Sequence, residues 1–277
     1  MEEKLNYLLI ASDLDGTLLK EDKTVDKKTL DRIRRYVAAG GKFCICTGRM
    51  LPSVRLIAED LSLTGIATSY AGALVSDLST GKTLCSLPLS VQDAAEIARF
   101  IEADGVHLQY FVGEEYYVNS DGDLLERYEK SCRVKAHVVT DMPLSEHILR
   151  GGKDVNKLLI IVDDPTRHER LLRKYTDRFG NRFWVTRSTS RYIEFMSKSC
   201  NKGTALEFMA NYYGIPLEKT IAIGDQMNDE EMLLRAGLGF CVENGNDELK
   251  KRVKTFPLTN DEGAVGEIIE RYGFYKE

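Results

Sequence analysis

The sequence predicts an α/β fold, a parallel sheet covered by helices, whose chain is interrupted by a second, α+β segment. Two features carry that expectation. Short apolar runs alternate with amphipathic stretches at both ends of the chain, the pattern of strands linked by helices. Between them the rhythm changes to paired strands around turn residues, mixed with helices, as in an antiparallel sheet. A chain of 277 residues is also too long for one small domain. The reading divides it into a discontinuous first domain, residues 1–85 and 198–277, and an inserted domain, residues 86–197.

Tyr7 to Ser12 is apolar enough for a buried strand and stops at Asp13–Leu14–Asp15–Gly16–Thr17. Residues 26–39 place Leu30, Ile33 and Val37 on one helix face. Thr24 or Asp26 can cap the start, and Gly40 and Gly41 end it. Phe43 to Cys46 reads as a second buried strand running into Thr47–Gly48–Arg49, and a helix follows from about Pro52. Ala73 to Ser76 and Thr83 to Cys85 flank Asp77 to Lys82 as a hairpin. In the inserted segment, Ser90 to Ala103 is an amphipathic helix, and His107 to Val112 and Tyr116 to Asn119 are strands. A strand at 157–162, a helix at 165–179 and strands at 182–186 and 192–196 complete it. The first rhythm then returns. Lys202 to Tyr213 is a helix closed by Gly214 and Pro216, Thr220 to Ile223 is a buried strand, and Met232 to Ala236 is helical.

Composition excludes several classes. Hydrophobic residues make up 43% and charged residues 29%, with a net charge of −5, as in ordinary globular proteins. No apolar run reaches the roughly 18 to 20 residues of a membrane helix. The acidic start, Met1–Glu2–Glu3–Lys4, is unlike a signal peptide. Six cysteines show neither Cys-x-x-Cys pairing nor a histidine partner, which argues against structural zinc and a disulfide scaffold and suits a reducing cytoplasm. Mild acidity disfavours general nucleic-acid binding. The one basic cluster, Lys250 to Lys254, reads as a solvated helix face.

In open parallel sheets, ligands bind beyond the carboxyl ends of the strands. Three predicted strands deliver polar groups there: Asp13 and Asp15, then Thr47, then Asp225, Asn228 and Asp229. An isolated Asp-x-Asp is as readily a turn or a cap. The force lies in three such clusters, each directly after an apolar strand, with Lys202 at a helix start as a fourth element. Four carboxylates in one crevice would repel and raise one another's pKa values. Mg²⁺ would relieve this, since it takes oxygen ligands and shares them with phosphate. With Mg²⁺ and Lys202 the formal charge falls from −4 to −1, and protonated Asp15 would make it zero.

At these residues the sequence resembles the haloacid dehalogenase superfamily, Cof-type subfamily. Asp13–Thr17, Thr47–Arg49, Lys202 and Gly224–Asp229 match its four motifs in order, and the insertion falls between the second and third. Tyr192 to Met196 and the Lys202–Ala205 helix start also look Cof-like. The resemblance implies a Rossmann-like core with a large α+β cap that would close over a small phosphorylated metabolite. It implies that Asp13 attacks phosphorus to form an aspartyl-phosphate and that Asp15 acts as general acid and then general base. Mg²⁺ would be held by the Asp13 carboxylate, the Asp15 carbonyl and Asp225, with Asn228 and Asp229 in support. Thr47, the Gly48 N–H, Lys202 and Asn228 would face the phosphate.

Other residues read more plainly. Arg49 suits either a helix anchor or a substrate contact. Cys44 and Cys46 are buried strand residues, and His107, His137, His147 and His168 fall in the insertion at no metal-ligand spacing. The chain departs from the family at Ser69–Tyr70–Ala71–Gly72–Ala73, where Ala71 stands in place of an asparagine near the substrate. The expected activity is a phosphatase, with sugar phosphates as the substrate class. The alternatives are a sugar phosphomutase and a non-catalytic phosphometabolite-binding protein.

Overall fold

In the computed structural model, residues 4–275 are described, so the acidic start at residues 1–3 lies outside them. In chain order the elements are β1 (Leu9–Ser12), α1 (Lys27–Ala38), β2 (Lys42–Cys46), α2 (Leu51–Asp60), β3 (Ile66–Ser69), β4 (Leu74–Asp77) and β5 (Thr83–Ser86). There follow α3 (Val91–Glu102), β6 (His107–Val112), β7 (Glu115–Val118), α4 (Asp123–Cys132), β8 (His137–Val138), α5 (Leu144–Gly151), β9 (Lys157–Ile161), α6 (Pro165–Phe179), β10 (Phe183–Arg187) and β11 (Tyr192–Ser197). The chain ends with α7 (Lys202–Tyr213), β12 (Thr220–Gly224), α8 (Glu230–Arg235), β13 (Leu238–Val242), α9 (Asp247–Lys250), β14 (Lys254–Phe256) and α10 (Ala264–Ile268).

These elements form two compact units. The first comprises residues up to Thr47, Ile57–Leu84 and the chain from Asn201 onward. Its eight-stranded sheet has the order β14-β13-β12-β1-β2-β3-β4-β5. From β14 to β3 every pairing is parallel, and β4 runs antiparallel to β3. Strands β1 and β12 lie in the middle and are buried along their whole length, which is why both read as unbroken apolar runs. Their register sets Ser12 opposite Ile223, so both chains leave the sheet at the same edge. Helix α1 packs on α10 and α7 on α8. Asp26 is the cap of α1, its side chain accepting the Thr29 amide.

The second unit comprises Gly48–Leu56 and Cys85–Cys200. Residues 48–56, expected with the first domain, cluster with this second unit. Its six-stranded sheet has the order β10-β11-β9-β6-β7-β8, antiparallel except between β7 and β8. Alternation sorts the side chains. Leu108, Tyr110, Leu158, Ile160, Ile193 and Phe195 pack with Ile97, Ile148 and Tyr175 from α3, α5 and α6. The residues between them, among them Gln109, Phe111, Lys157 and Glu194, take the opposite face, where Tyr128 of α4 meets Phe111.

The structure adds elements that the sequence left unread. Helix α4 follows Gly122 and α5 follows Pro143, neither with a side-chain cap to announce it. Helix α8 starts at Glu230 rather than Met232. Strands β13 and β14 were not anticipated either. The basic cluster is ion-paired locally: Lys250 lies 3.2 Å from Asp247, Lys251 2.6 Å from Glu248 and Arg252 2.8 Å from Glu230.

His107 gives the second unit an acid sensitivity. It is buried, and Gln109 Nε2 donates to its Nε2 at 2.9 Å, which leaves Nδ1–H to donate to Ser120 Oγ at 2.9 Å. That arrangement needs a neutral ring, and burial lowers its pKa from 6.5 to about 4. A depressed pKa means the stabilisation is complete above pH 6.5 and is lost as pH falls through about 4. Between those limits wild type should lose on the order of 2 kcal/mol that a His107→Asn variant keeps. Urea midpoints of both proteins from pH 7 to pH 4 test this, and parallel curves would refute it.

Candidate active site

Each acidic cluster follows a strand whose end fixes it in place. Asp13 continues β1, with its amide donating to the Ile223 carbonyl at 2.9 Å, and Asp225 directly follows β12. Lys202 is the first residue of α7. Asn201 caps that helix by accepting the Thr204 amide, and the Thr204 side chain answers the Asn201 amide. This places the Lys202 ammonium 2.5 Å from Asp13 Oδ1 and 2.6 Å from Asp229 Oδ1. Lys202 is 1% exposed and Asp229 0%, so the pair is buried.

Asp229 has a second task. Its Oδ2 accepts the amides of Asp225 and Gln226, both at 3.0 Å, and so shapes the turn after β12. Asp225 in turn accepts Thr17 Oγ1 at 3.1 Å and Gln226 Nε2 at 3.0 Å. Gly16 stands at φ +82°, and a Cβ there would sit 2.5 Å from Asp225 Oδ2. A side chain at position 16 would thus be both strained and in collision.

Three carboxylates share this buried space, those of Asp13, Asp225 and Asp229, with one ligand atom from each lying within 4.8 Å of the others. Asp15 is not among them. Its carboxylate is 40% exposed and pairs with Lys23 at 3.0 Å, which revises the expectation of four carboxylates in one crevice. Lys202 offsets one charge, so two remain if all three acids ionise. Burial raises Asp13 well above the usual carboxylate range, with Lys202 opposing and Asp229 and Asp225 adding to the shift. Burial, then Asp229, pushes Asp225 up to about 6. Burial would lower Lys202, but Asp13 and Asp229 outweigh it and hold the ammonium charged.

The donor set suits a hard divalent cation. All the acceptors are oxygens, the excess charge is negative, and Asn228 Oδ1 is buried with no partner among the described residues. Thr47 is buried at the end of β2, and its carbonyl accepts the Ala71 amide at 2.9 Å. That loop is strained: Tyr70 and Ala71 have φ of 53° and 52°, left-handed values that cost a non-glycine residue on the order of 1 kcal/mol each. Gly48 belongs to the second compact unit, where its carbonyl accepts Lys157 Nζ at 2.8 Å. Arg49 acts as an anchor there, donating to Ser53 Oγ at 3.2 Å and the Ser131 carbonyl at 2.9 Å. Cys44 and Cys46 are buried, with thiols pushed up to about 12 chiefly by burial.

A further polar cluster follows β13. Asn244 Nδ2 donates to the Gly16 carbonyl at 2.8 Å, and the Asn246 amide donates to the Asp225 carbonyl at 2.7 Å. Both follow β13, so the signal that found the other clusters, polar residues directly after an apolar strand, was present there too.

A family model described as haloacid dehalogenase-like hydrolase matches residues 10–269. The chain is 33% identical to the Bacillus subtilis 5-amino-6-(5-phospho-D-ribitylamino)uracil phosphatase YitU, over 95% of this chain and 97% of that protein. It is 29% identical to a second B. subtilis phosphatase of that name, YwtE, over 95% and 96%. Among solved structures, one from Thermotoga maritima superposes with a TM-score of 0.81 at 28% identity, covering 96% of this chain and 97% of that one. A haloacid dehalogenase-like hydrolase from Bacteroides thetaiotaomicron gives 0.83 at 25% identity, over 96% and 99%.

Proposed function

Because the chain belongs to the haloacid dehalogenase-like hydrolase family and is a phosphatase, we propose that it hydrolyses small phosphorylated metabolites, with sugar and polyol phosphates as the class, through an aspartyl-phosphate on Asp13. The observation that carries the reading is the buried set Asp13, Lys202, Asp225 and Asp229 at the carboxyl ends of β1 and β12. Two relatives whose names specify a phospho-ribityl compound support the substrate class.

The residues divide the reaction among them. An Asp13 carboxylate oxygen attacks phosphorus, and the bond from phosphorus to the ester oxygen breaks. Asp15, outside the buried cluster and half-exposed, gives its proton to the departing alkoxide. It then takes a proton from the water that attacks the phosphoenzyme, and the Asp13–phosphorus bond breaks. Lys202, with Thr47 and the Gly48 N–H, holds phosphoryl oxygens as charge develops on them. Asp13, Asp225 and the Asp15 carbonyl, with Asn228 and Asp229 in support, are the residues that would hold Mg²⁺. When bound, the ion supplies charge neutralisation and a template for the phosphoryl group.

On this reading residues 86–197 form a cap domain that selects the leaving group. We place the protein in a reducing cytoplasm: all six cysteines are free, and no helix among the described residues is long and apolar enough to cross a membrane. The test is phosphate release from a panel of sugar, nucleotide, cofactor and amino-acid phosphates, with Mg²⁺ and with EDTA. Release with Mg²⁺ that EDTA lowers by 100-fold or more is expected. No release from any compound by folded protein in Mg²⁺ would sink the proposal, as would release indifferent to EDTA for the metal.

A further inference from the structure

The phosphatase chemistry leaves the loop after β13, residues 243–246, without a task. In the sheet, β12 separates β13 from β1. The loop nonetheless reaches the turn after β1, where Asn244 Nδ2 donates to the Gly16 carbonyl at 2.8 Å. Asn244 Oδ1 accepts the Asn260 amide at 2.9 Å, and Asn260 Nδ2 donates to the Leu19 carbonyl at 2.8 Å. Two residues beyond Asn244, the Asn246 amide donates to the Asp225 carbonyl at 2.7 Å. One loop is thus tied to both acidic turns, and all these residues belong to the first compact unit.

The two asparagines differ in burial, and that separates their tasks. Asn260 is buried, so its bond to Leu19 is shielded from water and serves the fold. Asn244 is exposed, so its bonds compete with water and add little stability. What they add is direction. A carbonyl on one side and an N–H on the other call for a group that both donates and accepts, and an aspartate of the same shape only accepts. The Gly16 carbonyl shares a rigid plane with the Thr17 amide. Beyond that plane, Thr17 Oγ1 donates to Asp225 Oδ1 at 3.1 Å. Before it, Gly16 at φ +82° joins the plane to Asp15. Glycine restrains its own backbone least, so the direction in which Asp15 leaves the turn needs a hold from outside.

We propose that Asn244 is a positioning residue for the phosphatase reaction. By holding the Gly16 carbonyl it aims Asp15 at the leaving-group oxygen and then at the attacking water. The inference rests on the phosphatase reading and adds to it a residue from a loop to which that reading gives no role. Asn244 acts through the turn rather than on the reacting atoms, so its loss should look like a misaligned acid–base group. A basic alkoxide then departs slowly for want of a proton, whereas p-nitrophenolate leaves without one. Hydrolysis of the aspartyl-phosphate slows whichever alcohol has left.

The experiment compares kcat/KM for p-nitrophenyl, phenyl and benzyl phosphate, which are similar in size and rise in leaving-group basicity. Wild type is set against Asn244→Ala, Asn244→Asp and, as the reference for a lost acid, Asp15→Asn. In both Asn244 variants kcat/KM should fall about tenfold further for benzyl than for p-nitrophenyl phosphate. Rapid mixing with p-nitrophenyl phosphate should give a larger burst of p-nitrophenolate than in wild type, because phosphoenzyme accumulates. Asn244→Asp keeps the bond from Asn260 but turns an acceptor toward the Gly16 carbonyl, so it should do no better than alanine. Unchanged rates, or an equal loss on all three substrates, would overturn the proposal. So would melting curves showing that neither variant folds, since Asn244 would then serve the fold. A wild type inactive on all three substrates, or an Asp15→Asn variant with no leaving-group dependence, instead fails the phosphatase reading first and takes this inference with it.

Discussion

Asp13→Asn should abolish turnover, by at least 10³-fold, while the protein remains folded. The amide keeps the shape of the carboxylate and removes the attacking charge, and a nucleophile has no substitute in a covalent route. Stability should change little, for a reason visible in the site. Asp13 is 5% exposed and its burial disfavours ionisation, so the native state holds that charge at a cost. After the replacement, Lys202 still pairs with Asp229 at 2.6 Å, and the repulsion of Asp13 by Asp225 and Asp229 disappears. The melting temperature should therefore stay within a few degrees of wild type or rise. Asp15→Asn makes a useful contrast. Its carboxylate lies outside the buried cluster, and its loss should slow release of phosphate from Asp13, so that phosphoenzyme accumulates and mass spectrometry detects a phosphoryl adduct. Full phosphate release by a clean Asp13→Asn preparation would end the covalent assignment.

The sequence exposed the site wherever a single local rule applied. Buried parallel strands read as apolar runs, and polar residues immediately after them fall at one sheet edge, so Asp13, Thr47 and Asp225 could be placed without coordinates. The α7 start was legible because Asn201 and Thr204 form a cap of standard spacing. Where the rule failed, the missing information was three-dimensional. Asp15 lies two residues from Asp13, yet the turn at Gly16 sends its side chain outward to Lys23. Glu194 sits in an otherwise apolar strand, and nothing local says that Lys157 will be its neighbour. That depends on the β9–β11 register, which sets Glu194 opposite Leu159. Helices α4 and α5 start without side-chain caps and so lacked the usual sign of a start.

Lys202→Met should be the most destabilising single change at the site and should also remove activity. Lysine and methionine are close in length, so packing is nearly kept and the loss isolates the charge. The ammonium is the cation that Asp13 and Asp229 share, at 2.5 and 2.6 Å. Without it, three buried carboxylates face one another with no counter-charge. Removing one partner from a buried pair typically costs about 3–5 kcal/mol. In a unit of this size that corresponds to a melting temperature lower by on the order of 10 °C. The loss should depend on pH in a defined direction. Asp225 has a folded-state pKa near 6, above its ordinary value, and Asp13 is raised too. Groups shifted upward favour the fold when protonated, so their repulsion is muted at pH 5 and grows as pH rises through about 6. The gap between wild type and Lys202→Met should therefore be small at pH 5 and largest at pH 8. Thermal melts of both proteins at the two pH values, without divalent cations, measure it. A gap below 1 kcal/mol at pH 8 would mean that water reaches the carboxylates and that Lys202 does not neutralise them. A gap that narrows as pH rises would contradict the upward shifts of Asp13 and Asp225. Added Mg²⁺ should restore part of the lost stability, because a second cation can take over the charge that lysine balanced.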